Sequence, residues 1–398
     1  MIKILTVIGA RPQIIKAAAI SRAVRERRRV GELCSGMRFA DEVTEKILHT
    51  GQHYDENMSA VFFDELGIPQ PDYNLGVGSG KHGEQTAKMI AGIEEVLMQE
   101  QFDGILLYGD TNSTLAGAVA ASKIHVPIFH VEAGLRSHNM AMPEEVNRIV
   151  CDQLSSVLFP PTETGLRNLM EEGFLKSTAR FKNGKDRVVV NSGDVMYDNS
   201  LYYSGLAKEK CDIIQRLGLR QGGYVLATIH RDNNTDSKER LTSIFQALLD
   251  ISEKDKIDIV LPLHPRTAKL LSVNLEPKLC EKVLASKCIR LIPPASFFEI
   301  IELEQNAKLV MTDSGGVQKE SFFFERPCVI LRPETEWVEI VEHGAGIIAD
   351  ADYDRIVKAY EELTDRTVRF PKLFGDGKAA EHILEAIVEY LHEVKSEK

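Results

Sequence analysis

The amino-acid sequence predicts an α/β protein with two doubly wound parallel sheets, and three observations support this prediction. Short apolar runs alternate with longer helical patterns along the whole chain, as in parallel sheets covered by helices on both faces. The alternation pauses between residues 197 and 223 and then restarts. A length of 398 residues suits two domains. We therefore expect one domain at 1–198 and a second at 199–377.

The first half contains short apolar runs with the length of buried strands. These runs are residues 3–8, 104–108, 127–131, 157–159 and 187–190. Helical patterns follow the first run at residues 12–29 and the second at residues 114–123. The block 31–48 carries no pattern that assigns it to a helix or a strand.

The second half repeats this architecture without visible sequence similarity to the first. Its predicted strands are residues 224–228, 257–263, 289–292, 309–312 and 328–331. An amphipathic helix at residues 378–394 follows a glycine-containing break.

Composition and charge exclude several classes of protein. The formal net charge of −11 argues against general nucleic-acid binding, and the basic cluster at residues 25–29 is expected to face solvent at a helix end. Hydrophobic segments are too short for a membrane span. The six cysteines lack C-x-x-C spacing, so we expect reduced thiols in a cytoplasmic protein. The first ten residues are typical of a strand and not of a signal peptide.

The turn after the first predicted strand has the composition of an anion site. Gly9 permits a tight turn, and Pro12 suits the first position of a helix. Backbone N–H groups at a helix start attract anions, and Arg11 and Lys16 add positive charge. An ordinary βα turn is the alternative.

Two carboxylates stand at the ends of two successive strands of the first half. Asp110 follows the run 104–108, and Glu132 follows the run 127–131. Because parallel strands end at the same edge of a sheet, both carboxylates should approach one site, where neighbouring acids suit proton transfer. The alternative is that Asp110 only caps the next helix, as Thr111 or Asn112 can also do.

The segment 142–148 opens a helix that carries an acid and a base. Glu144 and Arg148 are i, i+4 neighbours, so they should lie on one helix face. A surface ion pair is the alternative to a catalytic role.

Two histidines end strands of the second half. His230 follows the run 224–228, and His264 follows the run 257–263. Each suits a general acid or a phosphate donor, and a structural histidine is the alternative.

The most distinctive pattern of the second half is a phosphate cradle. Ser314, Gly315 and Gly316 lie between a strand and a helix, where free amides and small side chains accommodate phosphate. Glu320, two turns into that helix, could accept both hydroxyls of a ribose.

These motifs, in this order, resemble those of the non-hydrolysing UDP-N-acetylglucosamine 2-epimerase family. They extend over nearly the whole chain and include GARPQIIK (9–16), TGQHYDENM (50–58), YGDTNSTLAG (108–117), HVEAGLRS (130–137), MPEEVNR (142–148), ATIHRDNNTD (227–236) and TDSGGVQKE (312–320).

The resemblance implies a GT-B-like fold, in which two Rossmann-like domains face a central cleft and the C-terminal helix, 378–398, returns to the first domain. It implies inversion at C2 of a UDP-2-acetamido sugar, of the UDP-GlcNAc to UDP-ManNAc type, for cell-surface polysaccharide precursors. In the family reaction UDP is eliminated, leaving a 2-acetamidoglycal, and then adds back with protonation from the opposite face. The resemblance implies a cytoplasmic homodimer that uses no cofactor or metal.

The same resemblance implies roles for individual residues. Asp110, Glu132 and Glu144 are the acid/base candidates, and His230 completes the catalytic set by stabilising the departing diphosphate together with Arg11. The expected UDP- and substrate-binding residues are Arg11, Lys16, Arg148, His264, Ser314, Gly315, Gly316 and Glu320.

Some positions depart from the family's simple N-acetylglucosamine enzymes. Ala10, Gln13 and the segment 230–234 are among these departures, and the chain looks most like the subgroup acting on UDP-2,3-diacetamido-2,3-dideoxyglucuronic acid. That substrate calls for a basic contact to its C6 carboxylate, for which Arg136 or Arg266 is the expectation. A UDP-sugar glycosyltransferase of the same fold and a non-catalytic nucleotide-sugar sensor are the alternative functions.

Overall fold

A computed structural model describes residues 2–33, 43–52, 63, 66–176, 186–263 and 265–396 of the chain. The chain divides into two compact units. Unit 1 comprises Met1–Asn199 and Leu373–Lys398, and unit 2 comprises Ser200–Lys372.

Unit 1 contains a parallel sheet in the strand order β3-β2-β1-β4-β5-β6-β7. In chain order its described strands are β1 (Ile2–Ile8), β2 (Val43–His49), β3 (Tyr73–Asn74), β4 (Gly104–Tyr108), β5 (Ile128–Val131), β6 (Val157–Phe159) and β7 (Val188–Val189). Its described helices are α1 (Arg11–Leu33), α2 (His82–Gln99), α3 (Asn112–Ile124), α4 (Pro143–Leu154) and α5 (Glu163–Glu171), followed by α6 (Val195–Lys210), in which the border between the units falls.

Strand β2 lies in the block that the sequence pattern left unassigned. Glu45 and Lys46 interrupt its apolar alternation, which explains why the pattern indicated no strand. The Glu45 carboxylate accepts hydrogen bonds from the hydroxyls of Thr6 and Ser21, both at 2.6 Å. These bonds satisfy a half-buried acid whose pKa is raised by desolvation.

Unit 2 contains a second parallel sheet, in the order β10-β9-β8-β11-β12-β13. Its described strands are β8 (Tyr224–Thr228), β9 (Asp258–Pro262), β10 (Ile289–Ile292), β11 (Leu309–Thr312), β12 (Cys328–Ile330) and β13 (Gly346–Ile348). Its described helices are α7 (Ile213–Arg216), α8 (Asp232–Thr235), α9 (Lys238–Asp255), α10 (Pro265–Asn274), α11 (Pro277–Ala285), α12 (Phe297–Asn306), α13 (Gly315–Phe323), α14 (Val338–Glu342) and α15 (Tyr353–Asp365). The predicted α/β class with two parallel sheets is confirmed.

The C-terminal helix α16 (Ala379–Ser396) belongs to unit 1, as predicted. Asp198 accepts hydrogen bonds from the first two amides of this helix, those of Ala379 at 3.0 Å and Ala380 at 2.8 Å. Tyr390 packs edge-to-face on Phe129 of β5, with ring centroids 6.1 Å apart. The helix is therefore fixed to unit 1 both at its start and along its length.

Strand order determines where each sheet can bind a ligand. In unit 1 the order reverses between β1 and β4, and in unit 2 it reverses between β8 and β11. Loops diverge at such a switch point and leave a crevice beyond the carboxyl ends of the strands. Within the described ranges, no helix combines the length and the apolar character of a membrane span.

Candidate active site

The turn after β1 is held by the side chain of Gln13. The Gln13 side-chain oxygen accepts hydrogen bonds from the amides of Gly9 at 2.9 Å and Ala10 at 3.1 Å. Its NH2 group donates to the Tyr108 carbonyl of β4 at 2.9 Å. An internal side chain therefore already accepts from these two amides, and the anion site expected at this turn stays a prediction.

Asp110 lies after β4 and forms an ion pair with Arg148 of α4. Thr111 is the N-cap of α3, since its hydroxyl accepts from the Thr114 amide at 3.4 Å. The alternative that Asp110 only caps this helix is thus wrong. Its side chain is 33% exposed, so the carboxylate is oriented by the guanidinium and still accessible.

Glu132 lies after β5 and forms an ion pair with Lys16 of α1. Both side chains are nearly buried, at 11% and 12% exposure. Glu132 adopts a φ of 69°, a left-handed conformation that costs about 1–3 kcal/mol in a non-glycine residue and is concentrated at functional sites. Arg11, in the first turn of α1, is exposed and adds a second cation to this edge of the sheet.

Two adjacent glutamates at the start of α4 have different surroundings. Glu144 is exposed. Glu145 is buried, accepts the amides of Ser137 and His138 at 2.9 to 3.1 Å, and pairs with Arg148 at 2.6 Å. The alternative of a surface ion pair between Glu144 and Arg148 is therefore wrong, because the guanidinium of Arg148 is directed to Glu145 and Asp110.

Arg136 is not placed to bind a substrate carboxylate. Its guanidinium pairs with Asp152 at 2.8 Å and with Glu172 at 2.6 Å, and its side chain is only 2% exposed. The expectation that Arg136 contacts a C6 carboxylate is wrong on this ground, whereas the Arg266 side chain and His264 lie outside the described residues.

In unit 2, His230 follows β8 and is oriented by Asp313, which follows β11. The His230 Nδ1 atom lies 3.1 Å from an oxygen of the fully buried Asp313. Asp313 also accepts the backbone amides of His230 and Arg231 and the Asn234 side chain, each at 3.1 Å. Burial alone would raise the pKa of Asp313, but the His230 ring and these donors hold it below its usual value. Because Nδ1 is engaged and His230 is 46% exposed, Nε2 is the ring nitrogen offered to a ligand.

The start of α13 has the geometry of a phosphate cradle. Ser314 is the N-cap, and its hydroxyl accepts from the Val317 amide at 3.5 Å. The Ser314 amide donates to the Thr312 hydroxyl at 2.9 Å. The amides of Gly315 and Gly316 make no hydrogen bond to any described residue, as is normal at a helix start, and they remain available to an anion.

A buried charged group that sequence reasoning missed adjoins this cradle. A Cβ atom added to Gly315 would lie 3.7 Å from Arg332 Nη1 and 3.8 Å from Trp337 Nε1. Glu336 forms a bidentate pair with Arg332, with both contacts at 2.9 Å. Glycine at 315 therefore leaves a space that is lined by two hydrogen-bond donors and by a carboxylate oxygen of Glu336, also 3.7 Å from that Cβ position.

Glu320 is half-buried on α13. The nearby carboxyl of Glu304 is fully buried. Burial, together with the negative charge of Glu320, raises the pKa of Glu304 well above its usual value.

The two units thus present different chemistry at their switch points. Unit 1 carries carboxylates oriented by buried cations, which suits proton transfer. Unit 2 carries free amides and an oriented imidazole, which suit a phosphate group, and the guanidinium of Arg332 beside them is paired with Glu336. The role of Asp313 could have been predicted from the sequence, because Asp313 is a carboxylate at the end of a strand, as Asp110 is. No sequence pattern indicated the roles of Gln13 and Arg332.

Comparisons with known proteins bear on both units. The model of a family described as UDP-N-acetylglucosamine 2-epimerase matches residues 37–388. A UDP-2,3-diacetamido-2,3-dideoxy-D-glucuronate 2-epimerase of Pseudomonas aeruginosa is 45% identical over 384 residues, which cover 96% of this chain and 98% of that protein. The crystal structure of the Methanocaldococcus jannaschii UDP-GlcNAc 2-epimerase, in complex with UDP-GlcNAc and UDP, is 38% identical. It aligns with a TM-score of 0.79 over 98% of this chain and 100% of that one.

A more distant structure shares the fold alone. An α,α-trehalose-phosphate synthase (UDP-forming) from Burkholderia xenovorans aligns with a TM-score of 0.54 at 11% identity, over 99% of this chain and 100% of that one.

Proposed function

Because the chain belongs to the UDP-N-acetylglucosamine 2-epimerase family, we propose that it inverts C2 of a UDP-2-acetamido sugar without hydrolysing it. The proposed substrate is UDP-GlcNAc and the product UDP-ManNAc, for cell-surface polysaccharide precursors. UDP is eliminated to leave a 2-acetamidoglycal, and it adds back with protonation of C2 on the opposite face.

Unit 1 supplies the proton transfers in this proposal. Removing the C2 proton without a stabilised leaving group would be very unfavourable, and inversion needs proton-transfer groups on both faces of C2. Asp110, Glu132 and Glu144 are the proposed groups. Arg148 and Lys16 support this assignment, because their ion pairs orient Asp110 and Glu132.

Unit 2 holds the UDP in this proposal. The amides of Gly315 and Gly316 and the Ser314 hydroxyl bind phosphate, and Glu320 binds the ribose. His230, which donates from Nε2, is a proposed donor to the departing diphosphate. Arg11 is proposed for the same role, and so is His264, which is assigned by its motif alone. The observation that carries the proposal is the His230–Asp313 pair beside the free amides of α13, because such donors stabilise charge that grows on a leaving diphosphate.

Incubation with UDP-GlcNAc in D2O tests the reaction. We expect deuterium at C2 of both epimers and no accumulation of UDP, as followed by proton NMR. Retention of the C2 hydrogen during turnover would refute the elimination mechanism. Release of UDP that depends on an added acceptor would instead indicate a glycosyltransferase.

Variants of the proposed proton-transfer groups and a second substrate make this experiment more specific. Asp110→Asn and Glu132→Gln should lower kcat by about 100-fold or more while UDP affinity stays near the wild-type value. Binding without turnover in the wild type would indicate a nucleotide-sugar sensor. UDP-2,3-diacetamido-2,3-dideoxyglucuronate is the second substrate to assay, and the larger kcat/KM identifies the preferred sugar.

The proposal also includes the cellular compartment and the oligomeric state of the enzyme. The five described cysteines, Cys151, Cys211, Cys280, Cys288 and Cys328, are all unpaired, which supports a reducing cytoplasm. We expect a homodimer, and analytical ultracentrifugation of the full chain measures the oligomeric state.

A further inference from the structure

A fully buried histidine lies directly behind the proposed proton-transfer groups of unit 1. His130 is the third residue of β5, two positions before Glu132. Its Nδ1 atom lies 2.7 Å from an oxygen of Asp152, and its Nε2 atom lies 2.8 Å from the backbone carbonyl oxygen of Gly109. Both the histidine and the aspartate have no exposed surface.

The two partners determine the protonation of the ring. A carbonyl oxygen only accepts, so Nε2 must carry a hydrogen. Asp152 accepts from Arg136 at 2.8 Å and from the Gly134 amide at 3.1 Å on its other oxygen, which favours the carboxylate form. Nδ1 therefore also donates, and the ring is an imidazolium. Burial alone would lower the pKa of His130, but Cys151 and Asp152 raise it well above its usual value.

The carbonyl that accepts from His130 belongs to the turn that carries the proposed site. Gly109 adopts a φ of 61°, and a Cβ atom built on it would lie 3.2 Å from both Glu132 Oε2 and Lys16 Nζ. The next residue is Asp110. A shift of the Gly109 peptide would therefore move Asp110 relative to Glu132.

We propose that His130 is a positioning residue, which donates from both ring nitrogens and thereby fixes the Gly109–Asp110 turn relative to Glu132. This inference rests on the proposed function, since it assumes that Asp110 and Glu132 transfer protons at C2. Proton transfer requires the donor and acceptor within hydrogen-bond reach, and misplacement by about 1 Å costs roughly 100-fold in rate.

Burying a cation such as the protonated His130 ring costs desolvation free energy. Desolvation of an ion pair often costs as much as the pair returns, and apolar side chains of similar volume fill a core at least as well. Packing alone does not require a charged ring at this position, whereas the hydrogen bond to the Gly109 carbonyl does require a second N–H donor on the ring.

Two substitutions separate the two contacts of the ring. Asn places its NH2 group at the position of Nδ1, so His130→Asn can keep the Asp152 contact and loses the Gly109 contact. Gln reaches the position of Nε2, so His130→Gln can keep the Gly109 contact. Ile128→Val, a buried change on the same strand, is the control for a small loss of packing, which costs about 1 kcal/mol.

The assays are kcat, KM and the kinetic isotope effect with C2-deuterated UDP-GlcNAc. We expect His130→Asn to lower kcat by about 10- to 100-fold, to leave KM within about threefold and to increase the isotope effect, because proton transfer becomes slower than other steps. His130→Gln should recover most of the rate, and Ile128→Val should match the wild type. Equal losses in the Asn and Gln variants, or an unchanged isotope effect in His130→Asn, would overturn the positioning role.

A measurement on the wild-type chain covers the case in which His130→Asn does not fold. In ¹⁵N-histidine NMR, one imidazole should stay protonated on both nitrogens from pH 6 to pH 9. A histidine set in which no ring keeps both protons at pH 9 overturns the two-donor geometry. A wild type that fails to exchange C2 hydrogen in D2O instead overturns the proposed function, and the NMR result stands apart from it.

Discussion

Gly109→Ala is the substitution whose effect can be worked out most directly from the site. Gly109 adopts a φ of 61°, and an L side chain in this left-handed region costs about 1–2 kcal/mol. The added Cβ would also lie 3.2 Å from Glu132 Oε2 and from Lys16 Nζ, so each must move by a few tenths of an ångström. Because catalysis is sensitive to such shifts, we expect kcat to fall about tenfold, which corresponds to ~1.4 kcal/mol in the barrier.

Gly218→Ala is the matched control for the backbone cost. Gly218 adopts a φ of 60°, and a Cβ atom added to it would meet no other atom within 4 Å. This variant should therefore lose a similar free energy of unfolding with no change in kcat. Thermal unfolding should shift by a few degrees in both variants, and C2 inversion is followed by NMR. If the two variants keep the same kcat, the contact of Gly109 with the Glu132–Lys16 pair has no catalytic importance.

The glutamates at the start of α4, the start of α13 and the carboxyl of Asp198 support three further predictions. Glu144→Gln should lower kcat with an unchanged Tm, whereas Glu145→Gln should lower Tm, because it removes the charge that pairs with the buried Arg148 and places an NH2 group against that guanidinium or against the amides that Glu145 accepts. Similar Tm losses in both variants would contradict this division. Gly315→Ala should leave stability intact, since its Cβ has only ordinary contacts, but weaken UDP binding about tenfold in calorimetry, and unchanged affinity would argue against the cradle. Burial raises the pKa of Asp198 to about 6, so the free energy of unfolding should fall as pH rises from about 4 to about 6, because the folded state holds that proton more tightly. Denaturant titrations across this range should give a flatter pH profile for Asp198→Asn, and identical profiles would exclude the effect.

The strands were predictable wherever a continuous apolar run defined them. β4, β6, β8 and β11 match the predicted runs residue for residue, because a strand buried on both faces of a parallel sheet needs a nearly uninterrupted apolar sequence. The edge strand β10 also matches its run, although Arg290 interrupts it. Strand β2 was not predictable, since its half-buried Glu45 depends on hydroxyl partners that come from β1 and α1. Local sequence does not contain such distant partners.

The candidate site also has features that the sequence predicted and features that only the structure revealed. Sequence alone determined that carboxylates, a histidine and a glycine-containing helix start follow parallel strands, because each of these features is local and the edge they share follows from the fold class. Only the tertiary structure decided the pairing: Arg148 reaches Asp110 and Glu145 and not Glu144, Arg136 is used by Asp152, and Gln13 occupies the amides after β1. A side chain's partner is set by the elements that pack around it, and residues far apart in the chain supply those elements. For the same reason, the proposed positioning role of the buried His130 became evident only from the structure, in which its ring contacts the carbonyl of Gly109.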